Sequence, residues 1–167
     1  MIDVYDGLVS EVLQERLEEY VNSLEYKGVE VDIGETHLSQ GHSTDFKFDD
    51  PMLLELQDCF KHLIPERSDP YRWYCNKIKN NETPQSHYDS KYETDTTILY
   101  YVNKNYNYEW GGETVFYDED KELVKAVMPK PGRISVFPAN VLHSARPFAL
   151  YVMEPRYTIA FKYMFSI

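Results

Sequence analysis

The chain reads as an α+β protein, mainly β, in which N-terminal helices support a sandwich or barrel of short strands. Two patterns predict this. Amphipathic helical periodicity dominates the first 65 residues, and from Tyr71 onward short runs of aromatic and β-branched residues alternate with turn signals. The 15 tyrosines among 167 residues point the same way, because tyrosine packs well on a half-buried pleated surface.

Taken in order, Leu8, Val12, Leu13, Leu17, Tyr20, Val21 and Leu24 recur at three-to-five spacing and predict a helix over about residues 7–25. Asp50 is a good N-cap for a second helix, Pro51 suits its first position, and Leu53, Leu56, Phe60, Leu63 and Ile64 form its apolar stripe. Pro65 stops it. Between the helices, residues 34–48 are polar, hold two glycines and are expected to form a loop near a site. Strands are expected at Tyr71–Ile78, Thr94–Val102, Glu113–Tyr117, Leu123–Met128, Arg133–Phe137 and Arg156–Phe165. In the last run Arg156, Thr158, Ala160 and Lys162 share one face, and Tyr157, Ile159, Phe161 and Tyr163 the other. The length suits one domain, 1–167, with helical support over about 1–65 and a β core over about 71–167.

The formal net charge of −11 and the absence of a Lys/Arg cluster argue against a nucleic-acid substrate, since phosphate contacts supply most of the affinity of such binders. Cys59 and Cys75 share no metal-binding spacing, which suits a reducing compartment. The N-terminus has no basic segment followed by an apolar one, and no apolar run reaches the roughly 18 residues of a membrane span. A cytoplasmic setting is the expectation.

The chemistry-bearing residues begin with His87-Tyr88-Asp89. In an extended segment, residues i and i+2 point to one side, so an imidazole and a carboxylate project together. Two histidines and one carboxylate on one face of a metal, with the other positions open, is the arrangement of non-haem iron(II) oxygenases. Alone the triplet is weak, because a surface histidine beside an acidic neighbour explains it as well. A third ligand is available in His143, which follows the turn and apolar strand Pro131-Gly132-Arg133-Ile134-Ser135-Val136-Phe137-Pro138. His37, His42 and His62 read as solvent-facing or structural. Arg156, opening the last strand, offers a planar fork for a carboxylate.

In order, His87-x-Asp89, Gly111-Gly112-Glu113-Thr114, Pro131-Gly132-Arg133 with its apolar strand, His143 and Arg156-Tyr157 resemble the 2-oxoglutarate/Fe(II)-dependent dioxygenase superfamily. The prolyl 4-hydroxylase-like branch is the nearest likeness, and Thr97–Lys104 is similar to that branch's second core strand. The resemblance covers about residues 71–165. It implies a double-stranded β-helix (jelly roll, cupin-like) with iron held by His87, Asp89 and His143. It implies that 2-oxoglutarate chelates the iron while Arg156 and Tyr101 bind its far carboxylate. The stretch from His143 to Arg156 is longer than in close relatives, which leaves Arg146 and Lys162 as alternative anchors. Tyr74 stands in for a tyrosine that relatives place nearer His87.

The implied activity is hydroxylation of a C–H bond, with O2 as oxidant, decarboxylation of 2-oxoglutarate to succinate and CO2, and ascorbate as a candidate reductant. A prolyl residue in a protein or peptide is the first expectation for the substrate, and a free amino acid or other small molecule the second. A non-catalytic β-helix binding domain is the third reading; the intact ligand set argues against it. Trp110-Gly111-Gly112 is expected to turn the chain at the pocket mouth, where Tyr106, Tyr108 and Trp110 form either an aromatic lip for a peptide or half-buried turn residues.

Overall fold

The computed structural model describes residues 1–33 and 36–166, with side chains described outside 29–39. Helix α1 spans Glu11–Ser23 and is capped by Ser10, whose hydroxyl accepts from the Leu13 amide at 3.2 Å. It buries Leu13, Leu17 and Val21. Helix α2, Pro51–Phe60, starts at Asp50, whose carboxylate accepts from the Met52 and Leu53 amides. Leu53, Leu56 and Phe60 point inward, and a 3-10 turn at Lys61–Leu63 ends the segment before Pro65.

Ten strands follow the chain: β1 Asp3–Tyr5, β2 Lys27–Ile33, β3 Thr36–Phe46, β4 Ser68–Ile78, β5 Thr96–Tyr101, β6 Thr114–Tyr117, β7 Leu123–Val127, β8 Ile134–Pro138, β9 His143–Ala145 and β10 Arg156–Phe165. They form an antiparallel seven-stranded sheet, ordered β1-β8-β5-β10-β4-β3-β2, and a three-stranded sheet, β7-β6-β9. The architecture is the mainly β double-stranded β-helix with helical support. One face of the large sheet packs on the helices, where Phe161 meets Phe60 and Trp73 edge-on at centroid distances of 4.9 and 5.2 Å. The other face meets the small sheet through Tyr74, Leu99, Tyr101, Phe116, Phe137 and Ala160. The alternation along β10 therefore sorts Tyr157, Ile159, Phe161 and Tyr163 toward the helices, while Ala160 packs in the cluster between the sheets.

The loop expected over residues 34–48 is instead largely strand. β3 pairs with β4 from His42↔Lys77 to Phe46↔Trp73 and with β2 on its other side. The first 65 residues are thus not all helical support, because β1, β2 and β3 extend the large sheet. The polar sequence of β3 concealed it: ladder hydrogen bonds come from the backbone and need no apolar side chains. β1 and β9, three residues each, are too short for a period to register. Among the described residues no helix is long and apolar enough to cross a membrane.

Candidate metal centre and co-substrate cavity

Backbone hydrogen bonds explain why three residues distant in sequence meet. The His87 amide donates to the His143 carbonyl at 2.9 Å, and the His143 amide returns a bond to the His87 carbonyl at 3.1 Å. Two residues on, the Asp89 and Ser90 amides donate to the Ala139 carbonyl. The His-x-Asp segment is thereby strapped to the chain leading from β8 into β9, and alternation sends His87 and Asp89 to the same side.

One ligand atom from each of His87, Asp89 and His143 lies within 4.8 Å of the others. His87 Nε2 is 3.4 Å from Asp89 Oδ1, and His143 Nε2 is 3.6 Å from Asp89 Oδ2. Both rings spend Nδ1 on backbone carbonyls, His87 on Gln85 at 3.1 Å and His143 on Val141 at 2.9 Å. That directs each Nε2 at the Asp89 carboxylate, the orientation expected of metal-ligating histidines. Asp89 is held in turn by Thr97, whose hydroxyl donates to Oδ2 at 2.6 Å, and by Lys162, whose ammonium lies 2.6 Å from Oδ1. The site is open on one side only. The His87 side chain is 52% exposed, whereas those of His143 and Asp89 are 7% and 1% exposed.

Electrostatics follow this asymmetry. Burial alone would raise the Asp89 carboxyl, but the His87 hydrogen bond and the Lys162 and His143 charges hold it well below the usual carboxylate range. The hydrogen bond to Asp89 raises the His87 imidazole, and burial lowers that of His143. A cluster with one ionised oxygen ligand and a neutral buried imidazole is ready for a divalent ion.

Behind the triad lies a narrow cavity, lined among others by Tyr74, Asn76, Thr114 and Arg156. Arg156 is 1% exposed. Its Nε donates to the Gly112 carbonyl at 2.6 Å and its Nη2 to the Thr114 hydroxyl at 2.9 Å, while Nη1 is buried without a hydrogen-bond partner. Tyr101 donates to the same Thr114 oxygen at 2.8 Å and backs the cavity wall. Thr114 and Thr97 are site residues that sequence reasoning missed, although the Gly-Gly-Glu-Thr motif ends on Thr114. Gly112 has φ +82, and a Cβ there would meet the Phe148 ring at 2.5 Å, so only glycine brings this carbonyl to Arg156.

Of the three cations considered for a distal carboxylate, Arg156 alone lines this cavity. Arg146 turns outward to the Tyr117 hydroxyl, and Lys162 sits at Asp89. Tyr74 lines the cavity, as expected for the strand before His87. Tyr106 and Trp110 pack with Phe148 and are turn residues, whereas Tyr108 is exposed. His42 pairs with Glu82 at 2.9 Å and His62 is exposed; the side chain of His37 lies outside the described residues.

A family model described as the 2OG-Fe(II) oxygenase superfamily matches residues 71–164. No curated protein sequence matches the chain. Among solved structures, a Pseudomonas putida prolyl-4-hydroxylase superposes with a TM-score of 0.76 at 13% identity, covering 99% of this chain and 93% of that one. A Trichoplax adhaerens prolyl hydroxylase, in complex with a hypoxia inducible factor peptide fragment, gives 0.70 at 16% identity over 98% and 83%. HygX from Streptomyces hygroscopicus, with nickel and 2-oxoglutarate bound, gives 0.74 at 13% identity over 99% and 83%. The chain belongs to the 2OG-Fe(II) oxygenase superfamily, a family of oxidoreductases that use iron(II), 2-oxoglutarate and O2.

Proposed function

We propose that the whole chain, 1–167, is one oxygenase domain in which His87, Asp89 and His143 hold iron(II) and Arg156, with Tyr101 behind it, receives the far carboxylate of 2-oxoglutarate. The observation that carries this reading is one cavity bounded by both halves of the site. At one end are two converging imidazole Nε2 atoms and a carboxylate, and at the other a buried guanidinium with an unpartnered Nη1. Two nitrogens and one oxygen with other positions open suit iron(II), and a buried arginine lacking one partner suits a carboxylate.

When bound, iron and co-substrate supply the oxidising power for hydroxylation of a C–H bond, 2-oxoglutarate leaving as succinate and CO2. The chain's own part is positional. Val141 and Gln85 carbonyls fix the imidazole tautomers, Thr97 orients Asp89, and Thr114 and Gly112 aim the Arg156 fork. The apolar wall of Phe116 and Phe137 against His143 keeps water from that side. For the prime substrate, the likeness to prolyl hydroxylases supports a proline ring, in a peptide or as the free amino acid.

Anaerobic addition of Fe(II) and then 2-oxoglutarate should give weak visible charge-transfer absorption. His87→Ala and Asp89→Ala should lose both the absorption and succinate formation. Full turnover in both variants overturns the metal assignment.

A further inference from the structure

Beyond its contact with Asp89, Lys162 has no part in this scheme. It lies on the same strand as Arg156 but at the opposite end of the site. The strand registers set Lys162 beside Thr97 on β5 and Arg72 on β4, making one row across the sheet. Its ammonium is 2.6 Å from Asp89 Oδ1 and 4.9 Å from the centroid of the Tyr74 ring. Arg72 stacks on the same ring at 4.1 Å. Both cations line an outer cleft that shares His87, Tyr74 and Asn76 with the inner cavity and reaches solvent. Among the described residues lining this cleft there is no aspartate or glutamate, in a chain with 28 acidic residues.

Charge balance says what the cleft lacks. Arg72 has Asp45 at 2.8 Å, an aspartate whose side chain is 65% exposed. The Lys162 side chain is 8% exposed, and among the described residues its one carboxylate partner is Asp89. Resting on the oxygenase reading above, a divalent ion takes the Asp89 charge, and a co-substrate carboxylate at the metal offsets the charge left over. A buried ammonium beside them is then without a counter-anion, which is costly. We propose that Lys162, with Arg72 outside it, is the seat for a carboxylate of the prime substrate. The seat adjoins a ligand of the metal, so the carboxylate and the oxidised carbon belong to one small unit. An amino acid with a free α-carboxylate meets that requirement, and an internal peptide residue other than aspartate or glutamate does not.

The test uses the chain loaded with Mn(II) and 2-oxoglutarate, which binds without turning over. The common L-amino acids are titrated by calorimetry, each beside its carboxamide and its N-glycyl dipeptide. At least one acid should bind tenfold or more tighter than its amide. Equal binding of the dipeptide assigns the seat to chain termini, and weaker binding to free amino acids; both support it. Lys162→Met should remove the acid-over-amide preference, and Lys162→Arg should keep part of it. If Lys162→Met fails to fold, the wild-type acid-to-amide ratio and Lys162→Arg still decide. No preference for any acid, or a preference that survives in Lys162→Met, overturns the proposal. Failure of the wild type to bind Mn(II) and 2-oxoglutarate at all would instead sink the oxygenase reading beneath it.

Discussion

Replacing Gly112 by alanine tests the inner half of the site, and its cost can be worked out in advance. A methyl group would lie 2.5 Å from two carbons of the Phe148 ring and 3.4 Å from Pro129 Cγ. The ring has little room to retreat, being 2% exposed and wedged against Trp110 and Tyr106. Forcing an L-residue to φ +82 costs roughly 1–2 kcal/mol, and overpacking a filled core about 1–3 kcal/mol more. The sum, about 2–5 kcal/mol, should lower Tm by roughly 4–20 °C for a chain of this size. A second effect falls on the co-substrate. The Gly112 carbonyl holds Arg156 Nε at 2.6 Å, and a charge-assisted bond of this kind is worth about 1.5–3 kcal/mol. Misaiming the fork should therefore weaken 2-oxoglutarate binding about tenfold to hundredfold. Gly7→Ala is the control, because Gly7 has φ +80 but nothing within 4 Å of its added methyl. It carries the backbone cost alone. The measurements are thermal unfolding of the metal-free chain and calorimetric titration of the Mn(II) form with 2-oxoglutarate. A Gly112→Ala protein that melts with Gly7→Ala and binds 2-oxoglutarate like wild type refutes the packing argument and the role given to this carbonyl.

Two further perturbations probe the scaffold. Burial pushes the Cys75 thiol up from 9.0 to about 12, so the folded chain keeps it neutral while the unfolded chain ionises. Stability from this group is whole below pH 9 and declines toward pH 12, by on the order of 1 kcal/mol per pH unit. Urea midpoints at pH 8 and pH 10.5 should separate less in Cys75→Val than in wild type; an identical separation would contradict the assignment. Asp50→Ala should cost about 1–2 kcal/mol in urea unfolding, because it removes the cap of α2 and the acceptor of the Tyr20 hydroxyl. Asp50→Ser, which caps but does not reach Tyr20, should recover part of the loss.

Much of the site was legible because its chemistry is local. His87 and Asp89 share a face by alternation, and Pro131–Pro138 reads as a turn and a buried strand leading to His143. The two-faced pattern of β10 was plain for the same reason: one face is aromatic or aliphatic and the other small or polar. What stayed hidden depends on register between distant strands. Lys162 shares a face with Arg156, so on sequence alone either could anchor the co-substrate. Only the pairing of β10 with β5 and β4 sets one at the inner cavity and the other beside Asp89. Thr114 acquires its importance from two partners, Tyr101 and Arg156, that are 13 and 42 residues away. β3 was missed because a polar strand looks like a loop until its neighbours are known.

The run of β10 from Arg156 to Lys162 has a consequence for how such a protein can diversify. Six residues of extended chain put about 20 Å between the two Cα atoms, with Thr158 and Ala160 between them on the same face. On the two proposals above, the strand works as a graduated bar, with its co-substrate mark at one end and its selectivity mark at the other. Exchanging the side chain at the far end leaves Arg156 undisturbed, so one end of the strand can change while the other is kept.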